Sequence, residues 1–365
     1  MKKALKIFAL AICAGSTVMM AACGGIVNYK TTTSPNWEIR NPSGGELNAN
    51  SDRLTHKEVA TYEIAYEKGA NTNYSFEYND GGTYVTSFYA TTYDWNSVAI
   101  PEEYRVADAT DIVYVYETAL NISGSVTVSG AKREFENAIT TRSYFRSADN
   151  NLTPVYTMQD IVCTSPNTLL PGDLASAYIE MNCVYEIFYN RDGNSAIIKT
   201  TDRTSSDPQT ETATAGLGSE YSVFDATYVA MAMRAMTYSG THTFDLMRAA
   251  EKQTSRFQAA CGGELALDRE NEAYATIFGA LDGAVESGYL IAGEDEEGNL
   301  NYTYNELTLS LVSDMPGPSS TYWYAHVSNG DLNTCRAALI RMNETIPFSL
   351  GSLVYSLASL EYVEI

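Results

Sequence analysis

The chain has 365 residues, and its 45 acidic side chains outnumber its 23 basic ones, which gives a net charge of −22. Nucleic acids are bound through clusters of Lys and Arg, so this charge argues against them as partners. The length fits one large domain or two smaller ones, and a hydrophobic content of 45% is enough for a packed core.

The first 22 residues have the composition of a secretory signal peptide. Three lysines, Lys2, Lys3 and Lys6, precede an apolar run over residues 7–14, and small residues close the segment. A short basic start, a short apolar run and small residues before a cleavage site are typical of such peptides. The run is shorter than the ~20 apolar residues that a membrane-spanning helix needs. We therefore expect residues 1–22 to be removed as a lipoprotein signal peptide.

The residue after the predicted cleavage site is a cysteine. Met20-Ala21-Ala22-Cys23 resembles the lipobox of bacterial lipoproteins. The resemblance implies that Cys23 is acylated on its thiol and becomes the first residue of the mature protein. Two acyl chains hold a protein on a bilayer, which one chain does poorly. The expected partner of Cys23 is thus the lipid bilayer of a cell membrane, with the body on the extracytoplasmic side; which membrane stays open.

A polar segment separates this anchor from the predicted body. Residues 23–55 are rich in Thr, Ser, Asn and Gly, and few apolar side chains interrupt them. A segment of this kind has too little apolar surface to fold on its own. We predict a flexible tether at 23–55 and a β-rich body at 56–365. A break between two domains, if there is one, falls in the Ser/Thr-rich stretch 202–222, which predicts a loop.

The body is predicted to be mainly β, of the α+β class, because apolar and polar residues alternate along much of it. The predicted strands cover residues 62–66, 74–78, 84–89, 111–116, 125–129, 135–145, 178–189, 196–201, 306–312, 322–326, 337–342 and 353–357. Asn79-Asp80-Gly81-Gly82 predicts a hairpin turn, because Asp-Gly tolerates positive φ, and Arg191-Asp192-Gly193-Asn194 predicts another. Many strands joined by tight turns indicate an antiparallel sheet with many hairpins.

One or two helices are predicted to pack on this sheet. The first covers residues 226–236, with Asp225 as its N-cap and Phe224 placed against Val229 as a hydrophobic staple. A second helix is predicted from apolar residues at helical spacing, namely Tyr274, Ile277, Phe278, Leu281 and Ala284.

Two short segments resemble secreted β-sheet proteins related to the LolA-like carriers. Phe145 and the segment Leu152-Thr153-Pro154-Val155-Tyr156 fit a pattern in which an aromatic residue on one strand leads into a Leu-x-Pro motif that opens the next. Phe224-Asp225, followed by Arg234-Ala235, is similar to the aspartate, helix and Arg-Ala segment of a neighbouring uncharacterised group. The resemblance covers under a third of the chain. It implies a curved antiparallel sheet folded over a helix, with an apolar concave face that in this superfamily often holds an acyl chain.

The sequence predicts no catalytic residues, no metal site and no cofactor. Its three histidines, His56, His242 and His326, are far apart, and no serine lies in a G-x-S-x-G motif. His326 is interpreted as a structural residue of a strand. The acidic segment 294–299 does not have the spacing of a calcium loop and predicts a solvated turn.

The cysteines that follow Cys23 carry no recognisable metal motif, because neither a CxxC pair nor a Cys/His cluster at zinc spacing occurs. They allow three disulfide pairings, and buried free thiols are an equal alternative. These cysteines are Cys163, Cys183, Cys261 and Cys335.

The predicted function is that of a non-enzymatic, membrane-anchored surface lipoprotein that binds a hydrophobic small molecule or serves envelope assembly. No ligand-binding residue is assigned, but the expected pocket lies on the concave side of the sheet, closed in part by the helix after Asp225. The side chains expected around it are Tyr62, Ile64, Tyr66, Val126, Val128, Met231, Met233 and Met236. Methionine suits a pocket that accepts varied apolar shapes, although a filled core is the commoner arrangement.

The alternative function is an adhesion or interaction module that recognises protein or glycan through an aromatic-rich face. Trp37, Trp95 and Trp323, together with many of the 27 tyrosines, are the residues that would stack on sugars. Cross-strand and core packing of the same side chains is the interpretation that we favour. A hydrolase is the third possibility, and chance pairs of carboxylates give it no specific support.

Overall fold

A computed structural model of the chain describes residues 56–70, 74–79, 82–92, 112–128, 130–148, 151–166, 178–190, 193–218, 220–234, 236, 238–290, 292–294, 298, 300–313, 319–327, 336–346 and 351–365. The predicted signal peptide, Cys23 and the predicted tether lie outside the described residues. Trp37, Trp95 and Cys335 lie outside them as well.

Strands make up most of the described chain. The first nine are β1 (His56–Lys68), β2 (Tyr74–Tyr78), β3 (Thr83–Thr92), β4 (Ile112–Val128), β5 (Ala131–Ala148), β6 (Asn151–Pro166), β7 (Tyr178–Tyr189), β8 (Ser195–Asp202) and β9 (Gln209–Gly216). The others are β10 (Val223–Asp225), β11 (Thr241–Arg248), β12 (Gln253–Ala266), β13 (Gly293–Glu294), β14 (Leu300–Asn301), β15 (Thr303–Leu311), β16 (Ser319–Val327), β17 (Arg336–Ile346) and β18 (Gly351–Glu364).

All but two of these strands form one 16-stranded sheet. Its order is β10-β11-β12-β15-β16-β17-β18-β1-β3-β4-β5-β6-β7-β8-β9, and β2 pairs with β4 beside this path. The sheet is mixed, because β10 runs parallel to β11 while the pairs at its centre, such as β1 with β18, are antiparallel. The remaining strands, β13 and β14, form a small hairpin of their own.

The sheet curves until its two ends approach each other without pairing. Strand β10 packs against β6, and β9 contacts β12. Lys252, in the turn after β11, forms an ion pair with Glu211 on β9. The end strands β9 and β10 are not hydrogen-bonded to each other, so the sheet stays open. A mainly β fold with a curved and largely antiparallel sheet is therefore confirmed.

Two short helices complete the fold. Helix α1 (Val229–Arg234) follows a 3-10 turn at Ala226–Tyr228, and the first five of its six residues are buried. Helix α2 (Ala275–Glu286) follows a 3-10 turn at Glu272–Tyr274 and packs against β18. Both predicted helices exist, although the first ends two residues earlier than expected.

The interior of the curved sheet is lined by tyrosines to an unusual degree. Side chains alternate across a strand, so Tyr322 and Tyr324 of β16 point inward and are fully buried. Tyrosines from other elements join them there, namely Tyr62, Tyr84, Tyr116, Tyr228 and Tyr355. The abundance of tyrosine in the sequence thus reflects the core as much as the surface.

The hairpin predicted at Asn79–Gly82 is wrong. Strand β2 pairs with the far half of β4, where Phe76 lies opposite Val126. Strand β3 pairs with the near half of the same strand, where Tyr84 lies opposite Leu120. The two strands therefore lie end to end along β4, which joins the two strands predicted at 111–116 and 125–129 into one.

The loop predicted at 202–222 is also wrong in part, because it contains β9. This strand pairs antiparallel with β8, with Lys199 opposite Thr212. It lies at the end of the sheet with most of its side chains exposed, so the low apolar content that predicted a loop reflects an edge strand. The hairpin predicted at 191–194 is confirmed, because β7 and β8 pair with Ile187 opposite Ile198.

Candidate functional site

The buried carboxylate of Asp225 holds the start of the segment that leads into α1. Its Oδ1 accepts hydrogen bonds from the Thr227 backbone N–H at 2.9 Å and from the Thr227 hydroxyl at 2.6 Å. The Tyr189 hydroxyl donates to Oδ2 from strand β7. Burial raises the pKa of Asp225, and the hydrogen bonds offset that rise only in part. The predicted N-cap is therefore confirmed, and it also ties α1 to the sheet.

The two segments that carry the family resemblance meet at this point. The Phe145 ring stacks on Tyr228, in the turn before α1, with 4.8 Å between ring centroids. Phe224 packs edge-on against the same Tyr228 ring at 6.2 Å. Pro154 lies opposite Phe145 at a β-bulge near the start of β6. The sequence pattern therefore marks residues that contact each other where the sheet meets α1.

The other end of α1 is held by a buried ion pair. The Arg234 guanidinium contacts Glu58 of β1 through two bonds, Nη1 to Oε1 at 2.5 Å and Nη2 to Oε2 at 2.8 Å. The Tyr289 hydroxyl, beyond the end of α2, donates to the same carboxylate. Burial alone would lower the pKa of Arg234, but the Glu58 carboxylate outweighs it and raises that pKa. We call Glu58, Arg234 and Tyr289 the Arg234 clamp.

Tyrosine hydroxyls add further polar contacts around α1. The Tyr324 hydroxyl donates to the Ala230 carbonyl at 2.7 Å, and the Tyr238 hydroxyl donates to the Arg234 carbonyl at 2.9 Å. A buried polar group is costly unless it is hydrogen-bonded, so these pairs fix where the helix can sit. The core around α1 is thus apolar in its bulk but polar at defined points.

Where the apolar pocket is expected, the described residues beside α1 leave only a small cleft. The empty space between its lining atoms is about 310 Å³, and this volume includes space that is open to solvent. Only about 10 Å³ of it is accessible to the centre of a water-sized molecule, and this smaller volume decides whether a ligand fits. That is about the least that holds one water molecule. The cleft is lined by Glu58, Ala60, Tyr62, Thr86, Tyr116, Ala230, Met231, Arg234, Ala338, Leu339 and Leu360.

The structure brings most of the expected pocket residues into one core. Tyr62, Val126, Met231, Met233 and Met236 are all buried in the same hydrophobic cluster. The other two whose side chains are described, Ile64 and Tyr66, are only partly buried and pack against its edge. In this state these residues fill the interior rather than enclose a space. Two polar residues of the clamp, Glu58 and Tyr289, were not found from the sequence.

The Trp323 ring is in contact with neighbouring side chains. The Trp323 ring stacks on Tyr304 with 4.6 Å between centroids, and the Arg341 guanidinium lies 4.9 Å from the ring centroid. The indole N–H donates to Glu306 at 2.9 Å. Cross-strand packing is therefore confirmed as the role of Trp323, and its ring is not a free platform for sugars.

The three histidines lie on three different strands of the sheet. His56 stacks on Tyr362 with 5.2 Å between ring centroids, His242 is buried on β11, and His326 lies in β16. Over the described ranges, no group of three or more His, Cys, Asp or Glu residues is placed to hold a metal ion. Of the acidic segment predicted as a turn at 294–299, residues 295–297 and 299 lie outside the described residues.

The three described cysteines are not joined to one another by a disulfide. Cys163 and Cys183 are buried on the neighbouring strands β6 and β7, and Cys261 is partly buried on β12. Cys163 lies opposite Met181, while Cys183 lies opposite Ile161, so the first two are offset along the strands.

Comparisons with known proteins give little further information. No family model matches the chain, and no curated protein sequence matches it significantly. Among solved structures it is similar to the β-barrel-like protein of a domain of unknown function, DUF1849, from Brucella abortus, with 9% sequence identity and a TM-score of 0.42. That alignment covers 85% of this chain and 99% of the other. The likeness is too distant to transfer a function.

The fold and the site define a class of protein. Proteins of this class have an open, curved β-sheet that encloses a short helix in a tyrosine-rich core. A buried ion pair holds the end of that helix. Within the part of the chain that the structure describes, no helix is both long and apolar enough to cross a membrane.

Proposed function

We propose that this protein is a non-enzymatic lipoprotein, held on the extracytoplasmic side of a membrane by acylated Cys23, whose curved sheet binds a hydrophobic ligand beside α1. The observation that carries the proposal is the position of α1. This helix has six residues and lies with its methionines inside the concave side of the sheet.

A helix this short is not stable by itself in water. It keeps its place through the packing of side chains such as Met231 and Met233, and through the hydrogen bonds at its two ends. An element held only by packing and by a few polar contacts can move away without unfolding the strands around it. The ligand would then occupy space beside α1 that side chains such as Met231 fill in the ligand-free state.

The aromatic interaction module is less well supported. Its best described candidate, Trp323, has its ring engaged by Tyr304 and Arg341. A sugar would have to displace these neighbours before it could stack on the indole. The hydrophobic-ligand function therefore has the stronger structural argument.

Native mass spectrometry of the lipoprotein, purified from its membranes, tests the proposal. We expect a non-covalent lipid mass on the folded protein that disappears on denaturation, whereas the covalent anchor on Cys23 remains in both spectra. The same protein should take up added fatty acid in a saturable way. Absence of both a co-purified lipid and saturable uptake would exclude this function.

A further inference from the structure

Next to the Arg234 clamp the sheet contains a split, a place where two neighbouring strands stop pairing partway along their length. Strand β17 pairs with β18 only over Arg341–Ile346. Beyond Arg341, residues 336–339 of β17 pair with β16, while Leu357 and residues 359–364 of β18 pair with β1. The two strands therefore diverge, and the hydroxyl of Tyr62 reaches the Leu339 carbonyl at 3.0 Å.

The cleft described above lies at this split. Leu339 lines it from β17, Leu360 from β18 and Met231 from α1. Arg234 and Glu58 also line it, so apolar side chains and a buried charge lie side by side in the cleft. Methionine is unbranched and changes rotamer easily, so Met231 is the side chain best able to give way to an aliphatic chain.

The clamp already demonstrates the geometry of a carboxylate site. The Arg234 side chain is 16% exposed and that of Glu58 is 9% exposed. The guanidinium holds both oxygens of this carboxylate, which is the two-point recognition for which arginine is suited. Glu58 stands in the position that the carboxylate of a ligand would take.

We propose that Arg234 binds the carboxylate head of an aliphatic acid, with the fatty-acid chain passing between β17 and β18. The fatty acid enters in its neutral form and gives its proton to Glu58, and its carboxylate then replaces Glu58 on the guanidinium, so no unpaired charge is left buried. Glu58 thus acts as an internal competitor that keeps the empty site closed. This inference rests on the proposed function and specifies the chemistry of its ligand.

The competition gives two substitutions with opposite effects. Glu58→Gln removes the competing charge while it keeps the side-chain shape, so binding should become tighter. Arg234→Gln removes the charge that the ligand needs, but it also leaves Glu58 buried without its partner, which is strongly destabilising. The double variant Glu58→Gln/Arg234→Gln avoids this problem because both charges are removed together.

The test is a titration of the whole mature chain, produced from residue 24 without the lipid, with the fluorescent fatty acid cis-parinaric acid. We expect Glu58→Gln to bind it more tightly than the unmodified chain. The double variant should bind about tenfold or more weakly than Glu58→Gln, which corresponds to one hydrogen bond to a charged group. The methyl ester of the same acid should show a similar loss on the unmodified chain.

Arg341→Gln is the matched control. Arg341 is 17% exposed, much like Arg234, and it does not line the cleft; its ion pair is a single contact of 3.2 Å to Glu67, whose side chain is 56% exposed. Its replacement should leave cis-parinaric acid binding unchanged. Equal binding of the acid and its ester, with no effect of the Arg234 change, would overturn the carboxylate site and leave the hydrophobic-ligand function standing. No saturable binding of either probe to any variant would overturn both.

Discussion

The carboxylate of Asp225 caps the turn before α1, but its negative charge is unfavourable in a buried position. Burial raises its pKa, so the folded protein holds this proton more tightly than the unfolded chain does. The stability that protonation contributes is complete below the ordinary pKa of 3.8. It is lost as the pH rises through the higher pKa of the folded state.

We predict that Asp225→Asn removes this loss of stability at higher pH. Asparagine also caps helices well, and its amide oxygen can still accept from Thr227. The difference in unfolding free energy, variant minus unmodified protein, should therefore increase as the pH rises from about 4 to about 7. Urea unfolding at several pH values measures it, and a difference that does not change with pH would contradict the prediction.

Asp225→Ala is the companion variant, because it removes the cap together with the charge. It leaves the Thr227 N–H and the Tyr189 hydroxyl without their acceptor in a buried place. We expect a loss of about 1–3 kcal/mol, as for an unsatisfied buried polar group. A loss in Asp225→Asn of the same size would mean that the charge itself is needed.

At the scale of elements, the continuity of β2 and β3 along β4 depends on Gly124. A Cβ atom at this position would lie 2.2 Å from the Glu77 carbonyl oxygen and 2.9 Å from the Phe135 ring. Gly124→Ala should therefore push β2 away from β4, with a loss of about 1–3 kcal/mol typical of overpacking. Hydrogen exchange should show the amides of β2 becoming less protected than those of β3.

Gly279→Ala in α2 is the matched control for that glycine change. Gly279 is exposed, and no atom lies within 4 Å of a Cβ placed there. Because alanine favours helix, this substitution should stabilise the protein by about 0.5–1 kcal/mol. If Gly124→Ala did not lower the stability to urea relative to Gly279→Ala, the register described for β2 and β4 would be incorrect.

Local sequence patterns predicted which residues form strands and helices better than they predicted which strands pair with each other. Strands such as β1, β16 and β18 alternate because one face is buried, and this period is visible in a short window. The turn at Asn79–Gly82 was misplaced because Asp-Gly indicates a turn but not which strands it joins. Strand β9 was missed because an edge strand needs few apolar residues, and β11 and β12 were not predicted at all.

At the scale of the whole molecule, the anchor remains a prediction from the lipobox. We expect Cys23→Ala to move the protein from the membrane and detergent phase into the soluble fraction, because buried acyl chains contribute about 0.8 kcal/mol per methylene. Phase separation in detergent followed by immunoblotting measures this. Cys163→Ala, which changes a buried thiol of β6, is the control and should stay on the membrane. A Cys23→Ala protein that partitions like this control would disprove lipidation as the anchor.

The candidate site was only half visible in the sequence. Asp225 and Arg234 stood out because a capping residue and an Arg-Ala segment flank a helix. Glu58 and Tyr289 could not be identified, because Glu58 lies 176 positions from Arg234 and 231 from Tyr289 along the chain. A single sequence carries no local signal for contacts of this kind.

The pairing of β1 with β18 also determines when the sheet can be completed during synthesis. Among the described strands, β1 is synthesised before all others, yet β18, which lies beside it in the sheet, is synthesised after all others. The bond from Tyr62 to Leu339 spans 277 positions, and contacts between such distant residues form slowly. Until then β1 and β17 each expose a row of unpaired backbone groups, which other chains can pair with. The two halves of the sheet therefore stay unjoined until β18 has been made.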